Sequence, residues 1–176
     1  MALLLTIVFI VASTLLLLSL RALAVTGVPV VHMSPAVVEA ALDLLELRDG
    51  EVFYDLGCGA GNVLLAARRR ADVRAVGLEL NPAVALFAAL RSALDKSTRV
   101  HLKDVRKARL AGADAIYAFL MPTALAEVSG HLESEVREGT RVVTVDFVVP
   151  GWRLEKERQC KGGHAVHLYV MGKHLP

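Results

Sequence analysis

Residues Asp55-Leu-Gly57-Cys-Gly59-Ala-Gly61 set three glycines at alternate positions directly after an acidic residue. The run before them, Glu51 to Tyr54, reads as a β-strand, and the run after them, Asn62 to Arg70, reads as a helix. A strand that turns into a helix through glycines carries no Cβ atoms at the turn, so a ligand can come close to the backbone. The next strand, Val73 to Glu79, ends on a carboxylate able to accept both hydroxyls of a ribose. Together these features predict an α/β fold with a site for a nucleoside-bearing cofactor.

The spacing narrows the cofactor. Dinucleotide sites use G-x-G-x-x-G with pyrophosphate on the helix N-terminus, whereas here Asn62 stands where the third glycine of that pattern belongs. The P-loop pattern G-x-x-x-x-G-K-[ST] does not occur in the chain. Acid-x-G-x-G-x-G resembles motif I of the class I methyltransferases, which bind S-adenosylmethionine (SAM). SAM carries an ammonium and a sulfonium and no phosphate, and a carboxylate such as Asp55 suits a cationic ligand better than a pyrophosphate.

The remaining periodicity agrees. It predicts a helix near 61–70, one near 82–95 and one near 123–136, alternating with strands at 73–79, 99–103, 114–120 and 140–147. Such alternation implies right-handed crossovers and a parallel sheet. The tail differs: Trp152 to Cys160 and His164 to Met171 are extended runs joined by Lys161-Gly162-Gly163, which is hairpin chemistry. The whole resembles the Rossmann-like, seven-stranded class I methyltransferase sheet. That resemblance implies the order 3-2-1-4-5-7-6 with the last strand antiparallel. Asp55, Glu79, Asp104 and Leu120-Met121-Pro122 all fall at strand ends, where ligands of open α/β sheets bind.

Ala2 to Leu20 holds no charged residue. Nineteen helical residues span roughly 28 Å, against a bilayer core of about 30 Å. A transmembrane helix over 1–21 is therefore expected, in contact with lipid through residues 2–20, followed by a linker and pre-motif over 22–34 and a catalytic domain over 35–176. A signal peptide is the rival reading: Ala22-Leu23-Ala24 resembles a cleavage site, but the basic n-region is missing. Arg21 is the first charge after the segment, and the positive-inside rule then puts the domain on the cytoplasmic side as a single-pass protein. A net charge of +2 leaves no nucleic-acid footprint. The two cysteines give no disulfide framework, Cys58 is expected to pack inside the turn, and the six histidines show no metal spacing.

Val28-Pro-Val-Val-His-Met-Ser34-Pro35 precedes an apolar helix near 35–47, with Ser34 as N-cap, Pro35 as first residue, and Val38, Ala41, Leu42 and Leu45 on one face. This segment resembles the P-[YF]-V-P-[ST] pre-motif of a small methyltransferase family that includes the ATP synthase c-subunit lysine N-methyltransferases and small prokaryotic relatives. The likeness covers roughly residues 28–153. Its other landmarks are Tyr54 to Gly61, Gly77-Leu-Glu-Leu-Asn-Pro82, Tyr117 to Pro122, Gly139 to Val143, and Asp146-Phe147 leading to Trp152. The chain departs from the family pattern at Ala60, where an aspartate is common, at Cys58 for serine, and at Val30 and His32 in the pre-motif.

The resemblance implies a membrane-anchored SAM-dependent methyltransferase that modifies lysine on a membrane or membrane-proximal protein, with a rotary ATP synthase subunit among the candidate acceptors. A small-molecule or lipid methyltransferase and a non-catalytic SAM-binding membrane module are the alternatives. Glu79 is expected to hold the ribose and Asn81 to support the adenosine through its backbone; by resemblance Asp104 takes the adenine amino group. Gly57, Gly59 and Gly61 line the cofactor, and Asp55 fixes their loop and the SAM ammonium. Candidates around the acceptor amine are Tyr117, Phe119, Met121, Pro122, Asp146 and Trp152, with Tyr117 and Phe119 equally readable as core.

Overall fold

The computed structural model describes residues 1–26 and 33–172. The first helix, α1, runs Ala2–Thr26. It continues past the expected end at 21, so the first residues of the expected linker are helical, while Val28 to His32 of the pre-motif lie outside the described residues. Within α1, Ala2–Leu20 is long and apolar enough to cross a membrane by length and composition, and none of it is buried against the rest of the chain.

Helix α2, Pro35–Leu45, begins as expected, with Ser34 in extended conformation and Pro35 at its first position, although the Ser34 side chain makes no capping hydrogen bond. Its buried stripe includes Val38, Ala41, Leu42 and Leu45. Then come β1 (Val52–Leu56), α3 (Asn62–Arg70), β2 (Arg74–Glu79), α4 (Pro82–Arg91) and β3 (Thr98–Leu102). After a 3-10 turn at Val105–Lys107 follow β4 (Ala115–Ala118), α5 (Pro122–Glu135), β5 (Arg141–Val145), β6 (Lys156–Gln159) and β7 (Ala165–Val170).

These strands make one seven-stranded sheet in the order β3-β2-β1-β4-β5-β7-β6. β1 through β5 pair in parallel, and β7 runs antiparallel to both of its neighbours. The order is the one the class I resemblance implies.

The period-2 alternation of a strand divides the core between the two faces. Phe53, Ala115, Tyr117, Val143, Val145, Val166 and Leu168 pack under α2 and α3. Leu56, Ile116, Val142 and Tyr169 pack on the other face with Leu125, Val128 and Leu132 of α5. Arg141, the first residue of β5, donates to the Glu46 carbonyl at the end of α2 (3.2 Å). Helix α2 thus ends at the sheet's amino edge and begins at its carboxyl edge, where it delivers Met33 onto the core.

Helix α4 and the first strand of the hairpin are shorter than the periodicity predicts. Helix α4 ends at Arg91, because Asp95 turns the chain by accepting from Ser97 N and from the Thr98 hydroxyl (3.0 and 2.7 Å). The run from Trp152 becomes strand only at Lys156: Gly151 sits at φ 81°, and Trp152 N donates to the Val149 carbonyl in a turn.

Candidate active site

At the glycine turn, Gly57, Gly59 and Gly61 adopt φ of 79°, 51° and 78°, the left-handed region that a side chain disfavours. Gly57 N and Cys58 N both donate to the Leu78 carbonyl (2.9 Å each), which fastens the turn to β2. A Cβ on Gly57 would lie 3.2 Å from Leu120 Cδ2, so the segment after β4 lies directly against the turn. Beneath the turn, a Cβ on Gly77 would come within 2.7 Å of both Cys58 Sγ and Leu64 Cδ1. Cys58 fills that space, and burial, followed by the charges of Asp55 and Glu79, pushes its thiol up, away from the nucleophilic thiolate.

Asp55 is buried, and its Oδ2 has no hydrogen-bond partner among the described residues. Burial, and then the charge of Glu79, push its carboxyl up to about 8. In register beside it on β4, Tyr117 is also buried with its hydroxyl unpartnered. Burial, then the charges of Asp55 and Asp146, push that phenol up, so Tyr117 stands as a neutral hydroxyl. Two buried polar groups without partners among the described residues thus lie in register on β1 and β4, at the switch point of the sheet.

Glu79, at the end of β2, accepts from Gly59 N through Oε2 (3.0 Å) and from Asn81 N through Oε1 (2.8 Å). It ties the glycine turn to the start of α4, and each oxygen keeps a lone pair for a further donor. Asn81 caps α4, its Oδ1 accepting from Ala83 N and Val84 N, and also from Ser19 Oγ of α1 (2.9 Å). Asp104 lies beyond β3, next to Glu79 through the Lys103 N to Glu79 carbonyl hydrogen bond (2.9 Å). Its carboxylate is clasped by Arg106, whose guanidinium holds it well below the usual carboxylate range.

On the other side of the switch point, Met121 caps α5 and Pro122 opens it, both exposed at the rim. Phe119 packs against the same core as Tyr117. Asp146, just past β5, holds φ at 65°, a left-handed conformation uncommon outside glycine. Both of its carboxylate oxygens lie near His164 Nδ1 (3.1 and 2.9 Å), and Oδ1 also accepts from Ala165 N (3.2 Å).

His164 is the residue that sequence reasoning missed. It is half-buried, and its Nε2 has no hydrogen bond among the described residues. The signal was available: an antiparallel β7 after the Gly162-Gly163 turn brings its first residues beside the end of β5. Trp152, by contrast, is not brought to this site. It packs in the opposite layer, edge-on to Tyr169 with centroids 5.4 Å apart, and its indole N–H donates to Glu133 of α5 (2.6 Å).

This strand order, with a bare glycine turn after β1 and a carboxylate ending β2, is that of a methyltransferase fold. An RNA methyltransferase from Salinibacter ruber, solved in complex with S-adenosyl-L-homocysteine, shares it at a TM-score of 0.78 and 24% identity, over 83% of this chain and 97% of that one. Residues 55–156 match the family model described as the ANTKMT methyltransferase domain, and the chain belongs to that family. A protein-lysine N-methyltransferase from Saccharolobus islandicus is 29% identical over 85% of this chain and 98% of its own length. The adenine nucleotide translocase lysine N-methyltransferase of Mus musculus is 36% identical over 72% of this chain. The ATP synthase c-subunit lysine N-methyltransferase of Rattus norvegicus is 30% identical over 70%. The chain spans almost all of the archaeal relative but a little over half of the two mammalian ones (56% and 58%).

Proposed function

We propose that the chain is a SAM-dependent methyltransferase that modifies lysine on a protein at or near a membrane. In this reading α1 anchors it as a single pass, residues 22–34 lead to the site, and residues 35–176 form the catalytic domain on the cytoplasmic side. One observation carries the reading: a buried carboxyl oxygen of Asp55 is left without a partner at the foot of a turn made of three positive-φ glycines. A buried polar group is expected to be paired, and the ammonium of SAM is the partner of matching charge.

SAM supplies a methyl group on a sulfonium, whose charge already activates the leaving group. Glu79 accepts the ribose hydroxyls with the lone pairs left by its two backbone contacts. Asp104 divides its carboxylate between Arg106 and the adenine amino group, and Asn81 supports the adenosine through its backbone. Gly57, Gly59 and Gly61 line the cofactor, and Asp55 takes the ammonium through the loop or a water.

The protein's main task is alignment, which is proximity catalysis. A lysine must also arrive neutral, against an unperturbed pKa of about 10.4. Asp146 fixes the ring of His164 through Nδ1–H, leaving the outer nitrogen to take the proton from the arriving ammonium. Tyr117 and Phe119 wall the amine with aromatic surface, and Met121 and Pro122 form the lip over which the lysine stem enters. The mammalian relatives named for methylating the adenine nucleotide translocase and the ATP synthase c-subunit make an integral membrane protein the first acceptor to test.

Mass spectrometry of membrane proteins from cells with and without the gene tests this. The expected result is a lysine mass shift of one or more methyl groups that disappears with the gene. Labelled SAM incubated with the purified protein and a membrane fraction should label protein bands. Label in the organic extract instead would move the acceptor to a lipid or small molecule, and binding without turnover would leave a non-catalytic SAM-binding module.

A further inference from the structure

Helix α4 turns an apolar face away from the protein. Leu86, Phe87 and Leu90 are exposed (Leu90 to 67%), and Leu94 in the following turn is fully open at 99%. Leu86, Leu90 and Leu94 follow one another at intervals of four residues, which aligns them on one side of a helical path. Leu102, on the edge strand β3 against which α4 packs, is exposed as well. A soluble domain seldom shows a run of large apolar side chains without a partner for it.

Helix α1 meets α4 but does not cover this face. Their contact is at the start of α4, where Ser19 donates to Asn81, and the leucines further along remain open. The apolar surface of α1, with Leu17, Leu18 and Leu20 exposed, therefore leads onto that of α4.

The charge around the face is one-sided. Residues 91–109 contain seven Lys or Arg against two Asp, a net of +5, so the other residues carry −3 of the chain's +2. Both aspartates are already paired, Asp95 with Arg68 and Asp104 with Arg106. Lys96, Arg99, Lys103, Lys107 and Arg109 are exposed and make no ion pair among the described residues. Lys96 and Arg99 stand at the end of β3 where α4 stops, and Lys103 stands at the end where α4 begins.

We propose that this face of α4, with Leu94, Leu102 and the surrounding basic side chains, is a second membrane contact that lays the domain on an anionic lipid surface beside the exit of α1. The proposal rests on the reading of α1 as an anchor. An apolar strip rimmed with lysine and arginine is the pattern of a helix lying in the headgroup boundary. Each such cation near an anionic surface adds roughly fivefold to the partition. A second copy of the chain is the poorer occupant, because a two-fold contact would set two such basic rims against each other.

The contact also defines the substrate more closely. The helix lying on lipid begins three residues after Glu79, so the site opens beside the bilayer surface. The acceptor lysine then belongs to a loop or helix end that emerges close to the headgroups.

The test uses the full chain in vesicles of phosphatidylcholine, with or without phosphatidylglycerol. Cys58 is buried, so Leu90→Cys in a Cys160→Ser background carries a single nitroxide, and Ala126→Cys on exposed α5 is the control. In anionic vesicles the label at 90 should favour collision with oxygen over a water-soluble nickel chelate by severalfold, while the label at 126 favours the chelate. The double change Lys96→Glu with Lys103→Glu should return the label at 90 toward water without altering the circular dichroism. A chain that does not float with the vesicles refutes the anchor and takes this proposal with it. A chain that floats with position 90 as chelate-accessible as position 126, or with dipolar broadening between labels at 90, refutes this contact and leaves the anchor standing.

Discussion

The two halves of the carboxyl edge are built differently. Apart from Asp104, which lies beyond β3, the cofactor half is local in sequence: the acid, the glycine turn, the ribose acceptor and the cap of α4 all lie between Asp55 and Asn81, on adjacent strands β1 and β2. The acceptor half is assembled from a distance. Tyr117 comes from β4, Asp146 follows β5, and His164 precedes an antiparallel strand that arrives only after a hairpin. The first half is held by backbone geometry, with three positive-φ glycines and a carboxylate on two amides. The second depends on side-chain pairing and on one left-handed aspartate. A binding half fixed by backbone and a chemical half fixed by side chains should separate cleanly in affinity and turnover.

The largest expected effect is on pH dependence and belongs to the cofactor half. The folded chain holds Asp55 at about 8, against 3.8 for the free carboxyl, so between these values the folded state binds the extra proton. Stability of the SAM-free protein should therefore fall as pH rises through that window, with a slope approaching about 1.4 kcal/mol per pH unit from this group. Denaturant titrations at a series of pH values should show the slope in the wild type and its loss in Asp55→Asn.

Glu79→Ala should weaken SAM by about 100-fold, close to 3 kcal/mol for hydrogen bonds to a charged acceptor, with the fold retained. Unchanged affinity by equilibrium binding would remove the ribose assignment. His164→Ala should move the opposite quantity: kcat falls by about 100-fold, the lower range for a general base, while SAM affinity stays within a factor of two or so. Should affinity fall and kcat hold, the two halves do not divide into binding and chemistry. Gly77→Ala sharpens the structural side, because a methyl group in that space forces Cys58 and Leu64 apart. It should destabilise the fold by about 2 kcal/mol in chemical denaturation. Ser19→Ala, which removes one donor to the cap of α4, should cost about 1 kcal/mol or less.

What could be read from the chain follows the same division. The glycine turn, β2 with its terminal glutamate, and the Asn81-Pro82 start of α4 are contiguous, so residue order and spatial order coincide. Strand order was legible through the family likeness, and the hairpin chemistry of Lys161-Gly162-Gly163 marked the reversal into β7. Reading Trp152 as part of the site failed because the turn at Gly151 carries it to the α5 face, where Glu133 and Tyr169 receive it. His164 belongs to no motif of its own: the hairpin signals that β7 returns beside β5, and the register, with Val145 opposite Val166, then sets His164 against Asp146. Periodicity overextends α4 because its apolar run continues to Leu94, although Asp95 and Thr98 reverse the chain there.

The central claim is that Asp55 waits, protonated by its burial, for a cation delivered above the glycine turn. Calorimetric titration of the full chain with SAM near pH 7, in two buffers of different ionisation enthalpy, measures this directly. The account predicts stoichiometric binding with release of up to about one proton in the wild type, and binding that is weaker and without proton release in Asp55→Asn. SAM binding with no proton exchange in the wild type, or no binding at all, would contradict it.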